Sequence, residues 1–150
     1  MSFRILVTAP HLEPSGRAVL DAAGCALDFV SPAGDRAAME RALASAPFDG
    51  ILSRSIPISA SAMDSAPRLR VISRAAAGYD IVDVPAATER RIAVLSAVGA
   101  NAQSVAEFTI GLMLAAARDI PQHHARTHAG GWERAPLGME LHGRCLALLG

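Results

Sequence analysis

Lysine does not occur in this chain of 150 residues; all fourteen basic residues are arginine. Its absence removes every mechanism that needs a Lys within these residues, such as a Schiff base or the Lys of a phosphate-binding P-loop. It also disfavours a receiver domain, which would need a Lys late in its sheet. A charge excess is missing too. The fourteen basic residues balance fourteen acidic ones, and the pI is about 7.0. A protein that grips nucleic-acid backbones needs a strong basic excess. Cysteine is scarce: Cys25 and Cys145 lie far apart, without CxxC spacing, in the apolar runs AGCALDFV and GRCLALLG. Buried free thiols are therefore expected, not a disulfide. No apolar run reaches the roughly 18 residues of a membrane span. The opening MSFRILVTAP is too short in its apolar part for a signal peptide. A soluble cytoplasmic protein with no nucleic-acid or membrane partner is the expectation.

What is present can fill a core. The chain is 51% hydrophobic and 19% charged, with a mean hydropathy of +0.30, which excludes disorder. Short apolar runs alternate with helical patterns. Strands are expected at Arg4–Thr8, Ala26–Val30, Gly50–Leu52, Val71–Ser73 and Ile92–Leu95. Helices are expected at Ser15–Ala23 (Ser15 as N-cap, Gly24 as stop), Asp35–Ala44, Ser59–Ala66 and from Asp83 to Arg90. This alternation predicts an α/β fold, a parallel sheet in flavodoxin-like order with helices on both faces.

The character then changes. Asn101–Arg118, NAQSVAEFTIGLMLAAAR, reads as one helix that is apolar nearly all round and hence buried on more than one side. Asp119-Ile120-Pro121 interrupts it. The final run Arg144–Leu149 reads as a buried strand, and the chain stops on Gly150, as expected of the N-terminal part of a longer protein.

In open α/β sheets, ligands gather at the carboxyl ends of the strands. Arg54-Ser55 follow the third strand, Ala76-Ala77-Gly78 the fourth, and Asn101 stands after the fifth at a helix start. One guanidinium, free backbone N–H groups and a helix dipole suit a small carboxylate or phosphate. The same residues also fit a solvated charge, a tight turn and an N-cap. His124 and His128 share a helical face, with His123 beside them. Acidic company is sparse, so a solvated helix is expected there and no metal site. His11 and His142 stand alone.

Five segments run in order: LSRS at 52–55, VISRAAAGYDIVDVPAATERRIAV at 71–94, GANAQSVAEFTIGLMLAAARDIPQ at 99–122, GGWERAPLGMELHGR at 130–144 and LALLG at 146–150. With them, the chain from Ile51 to Gly150 resembles the D-isomer-specific 2-hydroxyacid dehydrogenases, most closely those of phosphoglycerate dehydrogenase type. Residues 1–50 match only as a βαβα pattern. The resemblance implies a substrate domain over residues 1–97 and the start of an NAD-binding domain over 98–150. The helix from Asn101 would cross between them. The strand at Arg144–Leu149 would open a Rossmann unit, with Gly150 as the first glycine of its G-x-G-x-x-G turn.

The resemblance further implies that Arg54 and Ser55 face the substrate. Ala77 and Gly78 would hold its carboxylate through backbone N–H groups, with Ala76 beside them, and Arg74 would lie near a substrate phosphate. Asn101, Ser104 and Val105 would face the nicotinamide of NAD or NADP, Asn101 also the substrate, with Ala77 and Gly150 as further cofactor contacts. Three positions depart from the family: Ala76 where Gly is usual, Val98 where Pro is frequent, and Ala77 where a hydroxyl-bearing residue often stands. If position 76 needs a positive φ, Ala costs about 1 kcal/mol there. The family's catalytic Arg, Glu and His fall beyond Gly150, so no catalytic residue is expected here and the chain is expected to be inactive alone. The implied partners are a small 2-hydroxy or 2-oxo acid and a second copy in a homodimer. The competing expectation is a stand-alone, non-catalytic flavodoxin-like module that binds a small acid or another protein.

Overall fold

Apolar four-residue runs, each closed by a turn, pair into one parallel sheet. A computed structural model describes residues 2–30, 34–132 and 138–149. Its strands are β1 (Arg4–Val7), β2 (Ala26–Phe29), β3 (Gly50–Ser53), β4 (Val71–Arg74) and β5 (Ala93–Ser96), in the order β2-β1-β3-β4-β5. That is the flavodoxin-like order expected. The connecting helices are α1 (Pro14–Ala22), α2 (Arg36–Ser45), α3 (Ala60–Asp64) and α4 (Val84–Glu89). The chain divides into two compact units, Met1–Ala100 and Asn101–Gly150.

Local chemistry explains the boundaries. The carboxylates of Asp35 and Asp83 and the hydroxyl of Ser59 accept from the N–H groups of Ala37, Ala86 and Ala62, capping α2, α4 and α3. Gly24 closes α1 at φ +68°, a conformation costly for residues with a Cβ. The start of α1 differs from expectation. Glu13 occupies the N-cap position and Pro14 the first turn, because proline's fixed φ and missing N–H suit a helix start better than Ser15 does.

Side chains alternate across a strand, so Leu6, Ile51, Ile72 and Val94 share one face of the sheet. Met39 and Leu43 of α2, Met63 of α3 and Ala87 of α4 cover that face in a single buried cluster. The other face differs from expectation. α1 contributes no buried residue, and Leu95 there is 56% exposed.

In the second unit, α5 (Ala102–Ala117) and α6 (Ile120–His128) are separated at Asp119, whose φ of +53° breaks the helix where the interruption was expected. A Cβ on Gly138 would lie 2.6 Å from the carbonyl oxygen of Ala117, so only glycine lets that segment approach the end of α5. Met113, Ala116, Ala117, Gly138, Met139 and Leu141 line an open apolar cavity of about 490 Å³ there.

Three expectations are corrected. α5 is not buried all round: Ala117 is its single buried residue, and Phe108 is 68% exposed. A sequence shows which helix faces are apolar, not what covers them. Residues 144–149 form no strand, and Leu148 and Leu149 are 83% and 98% exposed, because a strand exists only through hydrogen bonds to a neighbour and no described residue supplies one. Both cysteines are free, but Cys25 is half-buried and Cys145 exposed. Gly150 lies outside the described residues.

Candidate functional site

The polar residues of the first unit gather where the sheet's strands end. Two residues beyond each core position, on the same face, stand Thr8, Ser53, Arg74 and Ser96; Arg74 pairs in register with Ser53 on one side and Ser96 on the other. Thr8 continues the row past the end of β1, with its N–H donating to the Leu52 carbonyl at 3.0 Å. Thr8, Ser53 and Arg74 are buried. The Ser53 hydroxyl has no partner among the described residues.

Directly after this row come the loops expected to meet a ligand. Arg54 and Ser55 are exposed, and the Arg54 guanidinium takes no hydrogen bond or ion pair among the described residues. The Arg54 backbone is fixed: its N–H donates to Thr8 Oγ1 at 2.9 Å, and its carbonyl accepts from Nη1 of Arg74. The loop after β4 is anchored at three points. The Ala75 N–H donates to the Ser53 carbonyl at 2.8 Å, the Ala76 carbonyl accepts from the Ala97 N–H at 3.0 Å, and the Gly78 carbonyl accepts from Arg74 Nε at 3.0 Å. The N–H groups of Ala77 and Gly78 donate to no backbone or side-chain group among the described residues. Both residues lie at the surface, so these donors face solvent.

Ala76 is not among the described non-glycine residues with positive φ, which are Arg91 and Asp119, so alanine there carries no left-handed strain. A Cβ on Gly78 would come within 3.0 Å of Asp80 Oδ1, and glycine keeps that approach open. The structure thus brings Arg54, Ser55 and residues 75–78 onto neighbouring loops at one sheet edge. Arg74, expected near a substrate phosphate, donates from Nε and Nη1 to the chain's own carbonyls. Sequence reasoning passed over Thr8 and Ser53; their place two residues beyond the apolar core positions was the available signal.

In the second unit, Asn101 occupies the N-cap position of α5 but its side chain makes no capping hydrogen bond. Ser104 and Val105 are exposed in the first turn. The N–H groups of that turn carry the partial positive end of the helix dipole. His124 and His128 lie on one side of α6 with ring centroids 4.2 Å apart. Among the described residues no three His, Cys, Asp or Glu side chains gather as a metal ion would require. Nor is any described helix long and apolar enough to cross a membrane.

Comparison with known proteins is specific. A family model described as "D-isomer specific 2-hydroxyacid dehydrogenase, catalytic domain" matches residues 5–139. The D-3-phosphoglycerate dehydrogenase of Methanocaldococcus jannaschii is 49% identical over 89 residues, which is 59% of this chain and 17% of that protein. A solved protein of Thermus thermophilus superposes with a TM-score of 0.82 at 29% identity, over 94% of this chain and 46% of its own. The NAD+-bound 3-phosphoglycerate dehydrogenase of Entamoeba histolytica gives a TM-score of 0.69 at 28% identity, over 79% of this chain and 40% of its own. The chain thus spans less than half the length of the relatives it matches.

Proposed function

Because this chain belongs to the D-isomer specific 2-hydroxyacid dehydrogenase family, we propose that it holds the acid during hydride transfer between C2 of a small 2-hydroxy acid, such as 3-phosphoglycerate, and the nicotinamide of NAD or NADP. One observation carries the reading. The uncommitted Arg54 guanidinium and the solvent-facing N–H groups of Ala77 and Gly78 sit on adjacent loops at the carboxyl edge of the sheet. The N–H pair suits a carboxylate. Arg54 suits a second anionic group through its planar fork of donors. Ser55 adds a hydroxyl on the same loop.

The start of α5 fits the edge of a nicotinamide cofactor: its first-turn N–H groups lack a side-chain cap, and Asn101 keeps its amide free for a ligand. Asn101, Ser104 and Val105 are the residues that would face it, and the cofactor when bound accepts or gives the hydride. Residues 1–97 are then the substrate-holding part and 98–150 the beginning of the cofactor-holding part. Arg54, Ser55 and backbone N–H groups supply charge and hydrogen bonds, but none of them exchanges a proton near neutral pH. The chain by itself therefore binds the acid without oxidising it. Its partners in this reading are the small acid and a second copy of the chain.

The direct test is the affinity for 3-phosphoglycerate. A charge-assisted hydrogen bond contributes about 1.5–3 kcal/mol, so Arg54→Ala weakens binding by about 10- to 150-fold. Arg54→Lys keeps the charge, loses the fork and falls between. Unchanged affinity in the alanine variant removes this loop from the substrate site.

A further inference from the structure

We infer that the chain takes a second class of acid beside the phosphorylated one: 2-hydroxy acids with a branched aliphatic substituent, which enters a cavity on the β5 side of the loop after β4. The inference rests on the proposed acid site and extends it. Tyr79, Val84, Val94, Leu95 and Ser96 line this cavity of about 250 Å³. Its walls come from three pieces of the first unit. Tyr79 follows Gly78, Val84 opens α4, and the other three residues end β5. β5 is the last strand of the sheet, so no further strand fills the space beside it.

Continuity with the acid site gives the cavity its occupant. Tyr79 comes directly after Gly78, whose N–H would hold the carboxylate, and consecutive Cα atoms lie about 3.8 Å apart. The Ala97 N–H, donating to the Ala76 carbonyl at 3.0 Å, ties the end of β5 to the same loop. Because the strands run in the order β3-β4-β5, the loop after β4 lies between the Arg54 loop on one side and the cavity on the other. An acid gripped by its carboxylate in the middle can thus send its C3 group either way. An anionic group goes toward Arg54, an aliphatic one toward the cavity.

The lining suits an aliphatic group. Val84, Val94 and Leu95 are aliphatic, Tyr79 adds a ring, and no lining side chain is charged, so a desolvated phosphate would find no compensating cation there. Tyr79 and Leu95 are 59% and 56% exposed, so a substituent seated between them removes apolar surface of ligand and protein alike from water. The volume of about 250 Å³ falls below the roughly 300–1,000 Å³ of a site for a whole drug-sized molecule and fits a substituent of a few carbons. Each buried methylene contributes about fourfold in affinity. D-2-hydroxy-4-methylpentanoate, with three carbons more than D-lactate, therefore binds at least about tenfold tighter than D-lactate.

The test titrates the isotopically labelled 150-residue chain with D-lactate, D-2-hydroxy-4-methylpentanoate and 3-phosphoglycerate. The methylpentanoate shifts the amides of Val84 and of residues 94–96, which D-lactate leaves in place. Leu95→Trp fills the cavity and Tyr79→Ala removes a wall, both at exposed positions. Each lowers the ratio of methylpentanoate to 3-phosphoglycerate affinity at least about fivefold, whereas Arg54→Ala raises it at least about tenfold. Equal affinity for D-lactate and the methylpentanoate, shifts that spare the cavity, or a ratio that neither Leu95→Trp nor Tyr79→Ala alters overturns the proposal. Isopentanol, the same branched chain without a carboxylate, separates this from failure of the acid site. A chain that binds no acid but shifts these amides with isopentanol keeps the aliphatic cavity and loses the proposed function; no saturable shift with isopentanol overturns the cavity itself.

Discussion

Asp49, just before β3, faces the end of the sheet opposite the ligand loops. Its carboxylate accepts from the Arg4 N–H at 2.9 Å and from Arg68 Nη2 at 2.6 Å. These bonds, the Arg4 N–H first and then the Arg68 guanidinium, hold its pKa below the ordinary carboxylate value against an opposing desolvation effect. A carboxylate with a folded-state pKa below its unfolded value stabilises the fold fully above the unfolded value, about 3.9, and that stabilisation is lost as pH falls through the folded value. The melting temperature should therefore change little on this account between about pH 7 and pH 5 and fall below about pH 4. Asp49→Asn should melt lower at pH 7 and show a shallower acid-side decline; an unaltered decline contradicts the assignment. The two arginines of the site make a related contrast at this scale. The free guanidinium of Arg54 was legible from its place after a strand. The inward turn of Arg74 was not, because its acceptors are backbone carbonyls four and twenty residues away, which no local pattern encodes.

Among the elements, β1 to β5 and α1 to α4 lie within a residue or two of where the apolar runs put them. Gly24, Asp35, Ser59 and Asp83 announce turns and caps through local chemistry, so those boundaries were readable. Burial of α5 and pairing of residues 144–149 were not readable, since both depend on a partner surface. At 100° per residue, Val105, Phe108 and Leu112 fall on one side of α5 and Ile110 and Leu114 on the other, all of them more than 40% exposed. Two opposed apolar stripes in water favour association. The chain should self-associate in light scattering or enhance the fluorescence of a hydrophobic dye, and Phe108→Glu with Leu112→Glu should reduce either signal severalfold without lowering the stability of the first unit. A monodisperse, dye-negative parent chain contradicts this.

For the whole molecule, the alternation of apolar runs and helical patterns carried the strand order, and five segments in sequence carried the family and the loops that follow β3 and β4. In the proposed reading the division of labour follows from those loops: a guanidinium and backbone donors would bind an acid but would not move its proton. The purified chain with NAD or NADP and 3-phosphoglycerate should thus form no reduced cofactor above a blank; steady growth of the reduced-nicotinamide absorbance would show that it carries its own acid–base group.

The central claim is the location of the acid, and an amide map of the isotopically labelled chain titrated with 3-phosphoglycerate tests it most directly. The account predicts saturable shifts at the Ala77 and Gly78 amides and at Arg54 Nε, with the amide shifts weakened in Arg54→Ala by the same factor as the affinity. Shifts that spare these residues and cluster elsewhere, or no saturable shift at any residue, would contradict it.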